Sequence, residues 1–299
     1  MARESKNKKK IVITHNGSFH ADDVFAVAVL KIFFKGQIRI VRTRDEDLMK
    51  EGDILVDVGM KYDGRRNFDH HQATGAGQRS NGIPFASFGL VWKKYGPKIC
   101  GNASVAKEID KNLVQSIDAE DNGIEILKPV FDFSPYRVAN FILSFNSVWN
   151  EDEDQNRLFA EAVRVAEKIL LREIKKTKSV LIAKKIVLRT YKNSKNKEII
   201  IFDKYYPWKD FLFDFKKPKF VIFPSSDGRW NISTVKKNRF GFESRVTFPQ
   251  SWGGLKGEDL EVASGVKGAS FCHKKLFLVV AESKESAVEL AKKALKSKK

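Results

Sequence analysis

Four short stretches in the N-terminal half of the chain concentrate histidine and aspartate. They are Thr14-His15-Asn16-Gly17-Ser18-Phe19-His20-Ala21-Asp22-Asp23, Val56-Asp57-Val58-Gly59, Asp69-His70-His71-Gln72 and Ile117-Asp118-Ala119-Glu120-Asp121-Asn122-Gly123. Four of the five histidines fall in them, and only His273 lies elsewhere. Imidazole nitrogens and carboxylate oxygens are the ligand set of borderline and hard divalent ions, and several carboxylates suit a site holding two of them. A fold that uses them so must bring distant parts of the chain to one place.

The surrounding pattern says how. Ile11-Val12-Ile13-Thr14 reads as a buried strand, and the apolar run Asp22 to Phe34 as a helix with acids at its start, where the helix dipole favours them. The loop holding His15 and His20 therefore joins the carboxyl end of a strand to the amino end of a helix, where open α/β sheets place ligands. Gln37 to Val41 and Asp53 to Val58 read as further strands, the latter ending at Asp57, and Arg66 to His71 as another strand end. A glycine-rich loop, Gly75 to Gly82, precedes helices expected near Ala86 to Tyr95 and Val105 to Ser116. Strands alternating with helices predict an α/β class with a mainly parallel, doubly wound sheet.

A helix over about 154–178, with Leu158, Ala162, Val165, Ile169 and Leu170 at helical spacing, marks the boundary. Beyond it a smaller α+β domain is expected over 179–299. Its strands are predicted at Val180 to Thr190, Ile199 to Phe202, Lys219 to Pro224, Trp230 to Val235, Ser244 to Phe248 and Leu276 to Ala281, and its helices at Glu258 to Ser264 and Glu285 to Lys296.

Within the first motif His20 and Asp22, two apart, point the same way in extended geometry, and with His15 they are the metal candidates. Asp23 is a helix cap or an outer partner. Asp57 ends an apolar strand, where a carboxylate is expensive unless it meets a cation, so it is the candidate to bridge two ions. Of His70 and His71, neighbours on a strand, one is expected to ligate and the other to meet substrate. Asp69 is a further possible ligand or outer partner. Asp118 and Asp121 can both face the site, with Asp118 slightly preferred. Arg42, Arg44, Arg65 and Arg66 are candidate phosphate contacts, and His273 and Lys274 candidate substrate contacts.

The chain has 299 residues, 42% hydrophobic, and a net charge of +18 that attracts polyanions. Its two cysteines, Cys100 and Cys272, have no zinc-finger spacing and give no disulfide framework, which points to a reducing, intracellular and most simply cytoplasmic setting. No apolar run approaches the ~20 residues that cross a bilayer, so no membrane partner is expected. Met1 to Lys10 reads as a basic arm.

At Asp69-His70-His71 the chain resembles the DHH phosphoesterase superfamily. It is similar, more closely, to the Myg-type (melanocyte-proliferating-gene) branch, through the four stretches above, Ile40-Val41-Arg42-Thr43-Arg44-Asp45, Pro207-Trp208-Lys209, Ser244-Arg245, Trp252-Gly253-Gly254-Leu255 and Ser264-Gly265. The resemblance implies a metal-dependent 3′–5′ exonuclease on single-stranded RNA, with Mn²⁺ or Mg²⁺ as a pair of ions; older descriptions of the branch imply a metal-dependent protein hydrolase. It implies a DHH-like phosphoesterase domain over 9–178 and a substrate-binding domain over 179–299. It further implies that His15, His20 and Asp22 form the first metal motif, that Asp57 bridges, that His70 and Asp118 ligate, and that His71 contacts the substrate phosphate. Two positions depart from the superfamily: His20 stands where an aspartate is usual, and Val279 and Val280 replace a glycine pair. Other readings of the same residues are a small-molecule or oligonucleotide phosphohydrolase and a non-catalytic RNA-binding protein with structural metal.

Overall fold

The computed structural model describes residues 9–128, 130–238 and 241–297. Of the basic arm expected at the N-terminus, residues 1–8 lie outside the described residues, and Lys10 already opens the first strand. The chain divides into two compact units, Met1–Lys178 and Ser179–Lys299.

The first unit holds a four-stranded parallel sheet of order β2-β1-β3-β4, built from β1 (Lys10–Thr14), β2 (Ile38–Arg42), β3 (Ile54–Val56) and β4 (Asn67–Phe68). The β-branched run of β1 pairs on both sides, which suits a central strand. Helix α1 (Ala21–Phe33) is buried all round from Ala21 to Leu30, because no charge interrupts it between Asp23 and Lys31. It packs on α3 (Ser87–Cys100), with the Phe25 and Phe88 rings 5.3 Å apart. Short α2 (Glu46–Lys50) is capped by Asp45, whose side chain accepts from Asp47 N and Leu48 N.

The helix predicted from Val105 to Ser116 runs further. It comprises α4 (Ala103–Ile109), one wider π-type turn over Asp110–Val114 and α5 (Gln115–Asp121), so Asp118 and Asp121 lie on the helix rather than after it. The wider turn is held by Gln115 Nε2 donating to Asp110 Oδ2 at 2.8 Å. Helix α6 (Val138–Leu143) follows, and α7 (Gln155–Asn193) enters the second unit.

Helix α7 overturns the strand predicted over Val180 to Thr190. Ala183 and Val187, four apart, are buried on one side while Ile182 is exposed, so this β-branched run carries a helical period that outweighs its strand propensity. The second unit's sheet has order β5-β6-β7-β9-β8, from β5 (Ile199–Ile201), β6 (Phe220–Pro224), β7 (Trp230–Thr234), β8 (Ala269–Cys272) and β9 (Leu278–Ala281). Only β5 and β6 run parallel. One core gathers around Ala183, Val187 and Val221, and another around Ile232, Leu260 and Leu290, the last two from α9 (Gly257–Ser264) and α10 (Lys284–Lys296). Short α8 is Lys209–Leu212.

The strand predicted at Ser244 to Phe248 is reduced to a single bridge between Lys236 and Ser244. Arg245 organises that segment instead, its guanidinium donating to the carbonyls of Phe213, Phe215 and Pro218. Strand β8, absent from the predicted set, is short and bulged. Among the described residues no helix is long and apolar enough to cross a membrane.

Candidate metal centre

In the order β2-β1-β3-β4 the connections change direction between β1 and β3, which opens a crevice at the carboxyl ends of those strands. His15 follows β1, Asp57 follows β3, and Asp69, His70 and His71 follow β4. His15 Nδ1 lies 3.0 Å from the Asn16 carbonyl. Donating a proton there leaves the Nε2 lone pair facing two acids, Asp23 Oδ2 at 3.3 Å and Asp57 Oδ2 at 3.4 Å.

Asp57 adopts φ 55°, in the left-handed region that Asp and Asn enter more readily than other side-chain-bearing residues. Its two oxygens look in different directions. Oδ2 meets His15, while Oδ1 accepts the Ser87 hydroxyl at 3.0 Å and lies 3.5 Å from His71 Nδ1 and 3.9 Å from His70 Nδ1. Burial opposes its charge, but the hydrogen bond and charge of His15, then His70 and His71, outweigh it and hold the carboxyl below its ordinary range.

Asp69 is buried and works on both its sides. Oδ2 accepts Met60 N at 2.7 Å, tying down the loop after Asp57, and Oδ1 accepts the His71 main chain at 3.0 Å and its Nδ1 at 2.8 Å. The half-exposed His71 ring stacks on His70 at 4.3 Å. His70 Nε2 lies 3.1 Å from Asp121 Oδ2.

Both acids of the first motif act at helix starts and also border the site. Asp23 Oδ1 accepts His20 N at 2.9 Å at the head of α1, and its Oδ2 is buried without a hydrogen bond. Asp22 caps α3 rather than its own helix, accepting Ser87 N at 2.9 Å and Phe88 N at 2.6 Å. Burial, then the charges of Asp121, Asp57 and Asp118, push the Asp22 carboxyl well above its ordinary value; burial pushes Asp23 up to about 7 against the pull of His15.

Three sets of ligand atoms lie within 4.8 Å of one another: Asp57, Asp69, His70 and His71; His15, His20 and Asp57; and Asp22, His70 and Asp121. Crowded carboxyls that resist ionising, an unbonded buried oxygen and a donor set of oxygen and imidazole without thiolate fit a hard or borderline divalent cation. Asp57 belongs to two of the sets and His70 to two.

Asp118 has other partners. Its Oδ2 lies 2.7 Å from Arg79 Nη2 and its Oδ1 accepts Gly89 N at 3.0 Å, so the structure sets Asp121, not Asp118, against His70. A Cβ at position 89 would stand 1.9 Å from Asp118 Oδ2, which explains the glycine there. Burial lifts the Asp118 carboxyl to about 7 even beside Arg79.

The arginines divide. Arg42 donates to the carbonyls of Gly17 and Gln155 and lies over the Phe19 and Phe159 rings, which commits it to structure. Arg66 donates to Gly52, Met49 and Lys50 carbonyls at the end of α2, and Arg65 is exposed. Arg44, held by Asn16, lines an 820 Å³ cavity with His15, His20, Asp57, Asp69 and His71. Arg66 also lines it. His273 and Lys274 border a separate 1110 Å³ cavity within the second unit, where His273 sits past β8 in a turn, its Nδ1 accepting Lys275 N at 3.1 Å.

Three residues that the sequence did not single out shape the centre: Ser87, Arg79 and Asn146. Asn146 grips both main-chain groups of Phe19, accepting its N–H and donating to its carbonyl, each at 2.9 Å, one residue before His20. Asn146→Ala is expected to destabilise the fold by about 1–2 kcal/mol and, if the centre takes a divalent cation, to weaken its binding several-fold, with Mn²⁺ as the probe. Isothermal titration of the variant checks this, and wild-type affinity would remove Asn146 from the loop's support.

The family model MYG1_exonuc, described as uncharacterised protein family UPF0160, matches residues 11–295. The chain is 34% identical to the MYG1 protein YER156C of Saccharomyces cerevisiae, covering 97% of both chains. It is 30% identical to the human MYG1 exonuclease over 94% of this chain and 85% of that protein. A solved exopolyphosphatase-related protein from Bacteroides fragilis aligns over 97% of this chain and 92% of its own at 12% identity and a TM-score of 0.24.

Proposed function

The chain belongs to the MYG1 family, and from that premise we propose that it is a metal-dependent phosphodiesterase: a 3′–5′ exonuclease on single-stranded RNA that uses two divalent ions, Mn²⁺ or Mg²⁺. The observation that carries the reading is the pair of Asp57 oxygens turned toward separate histidine sets, as a carboxylate shared by two cations would be. The name exonuclease among its relatives supports a nucleic-acid substrate, and the +18 charge supports a polyanion.

On this reading residues 9–178 are a DHH-like phosphoesterase domain and residues 179–299 bind substrate. His15, His20 and Asp57 would hold one ion, and Asp57 with Asp69, His70 and His71 the other, while Asp22 borders His70 at Nδ1 and Asp121 at Nε2. Bound ions would supply an activated water and neutralise charge on the attacking and leaving oxygens. The protein's part is positioning. Ser87 fixes Asp57 through its hydroxyl, and Asn16 fixes the His15 tautomer. Asp69 fixes the His71 ring through Nδ1, leaving Nε2 as that ring's remaining polar atom on a residue that lines the cavity. His71 and Arg44 would then meet the non-bridging phosphate oxygens.

End-labelled single-stranded RNA and DNA incubated with Mn²⁺ test this. The expected result is an RNA ladder shortening from the 3′ end and abolished by chelation. Scattered internal cuts, preference for DNA, or no degradation would each contradict part of it.

Stability should report the ion too. The raised carboxyls of Asp22 and Asp23 and the raised imidazoles of His15 and His70 all bind more protons folded than unfolded, so without metal stability falls as pH rises from about 5 to 8. The lowered Asp57 carboxyl acts in the opposite sense only at more acid pH. A cation replaces those protons, so the rise in melting temperature on adding Mn²⁺ should grow across the same window. A rise that is flat or shrinks with pH would contradict it.

A further inference from the structure

Most of the large apolar side chains that the described residues leave exposed lie in one stretch, residues 124–149. Val130 is 88% exposed, Phe131 71%, Tyr136 71% and Trp149 97%. The Phe131 and Phe133 rings lie nearly parallel, 6° apart with centroids at 6.0 Å. A monomeric soluble protein seldom leaves so much apolar surface together.

Charge decides what covers it. The stretch carries two acids, Glu125 and Asp132, and two bases, Lys128 and Arg137, and is therefore neutral within a chain of +18. Arg137 is already paired, its Nε 3.1 Å from Glu120 Oε1. The acidic run Glu151-Asp152-Glu153-Asp154 follows immediately. With Arg137 paired, Lys128 is the one base left to meet a phosphate, too little to track a nucleic-acid backbone, which needs a run of unpaired cations. Two copies of so basic a chain repel one another, except through a surface where the charge cancels. A neutral, aromatic, charge-depleted patch is also the composition of homodimer interfaces.

The area is sufficient. Five of the exposed side chains are aromatic, Phe131, Phe133, Tyr136, Phe141 and Trp149. At about 150–250 Å² for a whole ring these alone offer on the order of 500 Å² or more, and the exposed Ile, Leu and Val side chains add to it. A standard interface uses about 800 Å² on each partner.

We propose that residues 124–128 and 130–149 form the self-complementary interface of a homodimer, in which each copy covers the other's stretch about a two-fold axis. The interface would stiffen the candidate centre from outside. Asn146 grips Phe19 beside His20, and Arg137 pairs with the neighbour of Asp121, so the stretch is anchored to the site at two points.

The test is the mass of the full chain in solution by light scattering across a range of concentrations, for the wild type and for a variant carrying Phe131→Glu and Phe133→Glu. Both positions are exposed, so the variant should keep the wild-type circular dichroism spectrum and melting curve at low concentration. Twice the chain mass of 34.1 kDa for the wild type and the single mass for the variant is the expected result. A wild-type monomer at every concentration, or a dimer that survives both substitutions, overturns the proposal. So does a monomer that floats with neutral phosphatidylcholine vesicles, which would give the patch to a membrane.

Discussion

Asp57→Asn should lower the rate of the proposed RNA degradation roughly a thousandfold, the factor that several kcal/mol of lost charge stabilisation amounts to. The fold should survive. Asn enters the left-handed region as readily as Asp, so φ 55° costs the variant nothing extra, and the amide oxygen can still accept the Ser87 hydroxyl. What disappears is the second charged oxygen, and with it the means of serving both histidine sets at once. The variant should therefore melt within a few degrees of the wild type without metal, and should lose most of the stabilisation that Mn²⁺ confers. Undiminished degradation by Asp57→Asn would remove this residue from the chemistry altogether.

The second large effect concerns stability. Arg79 is nearly buried and serves two acids, Asp110 at 2.7 Å and Asp118 at 2.7 Å. Arg79→Met would leave Asp118 buried with only the main-chain amides of Gly89 and Ala86 and no cation, and removing one partner of such a pair typically destabilises by about 3–5 kcal/mol. The loss should be larger at pH 8 than at pH 6, because Asp118, whose carboxyl titrates at about 7 with Arg79 present, can escape its unpaired charge by holding a proton in the more acid solution. Denaturant unfolding at the two pH values measures this. Equal stability of variant and wild type would mean that Asp118 has a partner other than Arg79.

These two residues also mark how far the sequence could be read. Asp57 was legible because a carboxylate closing an apolar run is conspicuous, and the loop between Thr14 and Asp23 because strand, polar loop and helix follow in order. Arg79 was not. Nothing distinguishes one arginine in a glycine-rich loop from others near the motifs, and its importance comes from the wider turn at Asp110, a feature of packing rather than of local pattern. The preference for Asp118 over Asp121 turned on that same arginine. Spacing of three places both acids on one side of α5, and only the fold decides which meets His70 and which meets Arg79. Likewise Arg42 looks like a phosphate contact in sequence, yet its two terminal nitrogens donate to the carbonyls of Gln155 and Gly17 and its plane lies over the Phe19 and Phe159 rings. Strand propensity over Val180 to Thr190 misled because the apolar positions that matter there, Ala183 and Val187, obey the helical period.

In the proposed centre one carboxylate, that of Asp57, would hold two cations together. Mn²⁺ binding followed by titration calorimetry and electron paramagnetic resonance tests it without reference to any substrate. The prediction is two ions per chain with the broadened, coupled spectrum of neighbouring Mn²⁺ centres, reduced in Asp57→Asn to uncoupled binding at lower stoichiometry. A single ion, no ion, or two uncoupled ions bound equally well by wild type and Asp57→Asn would contradict it.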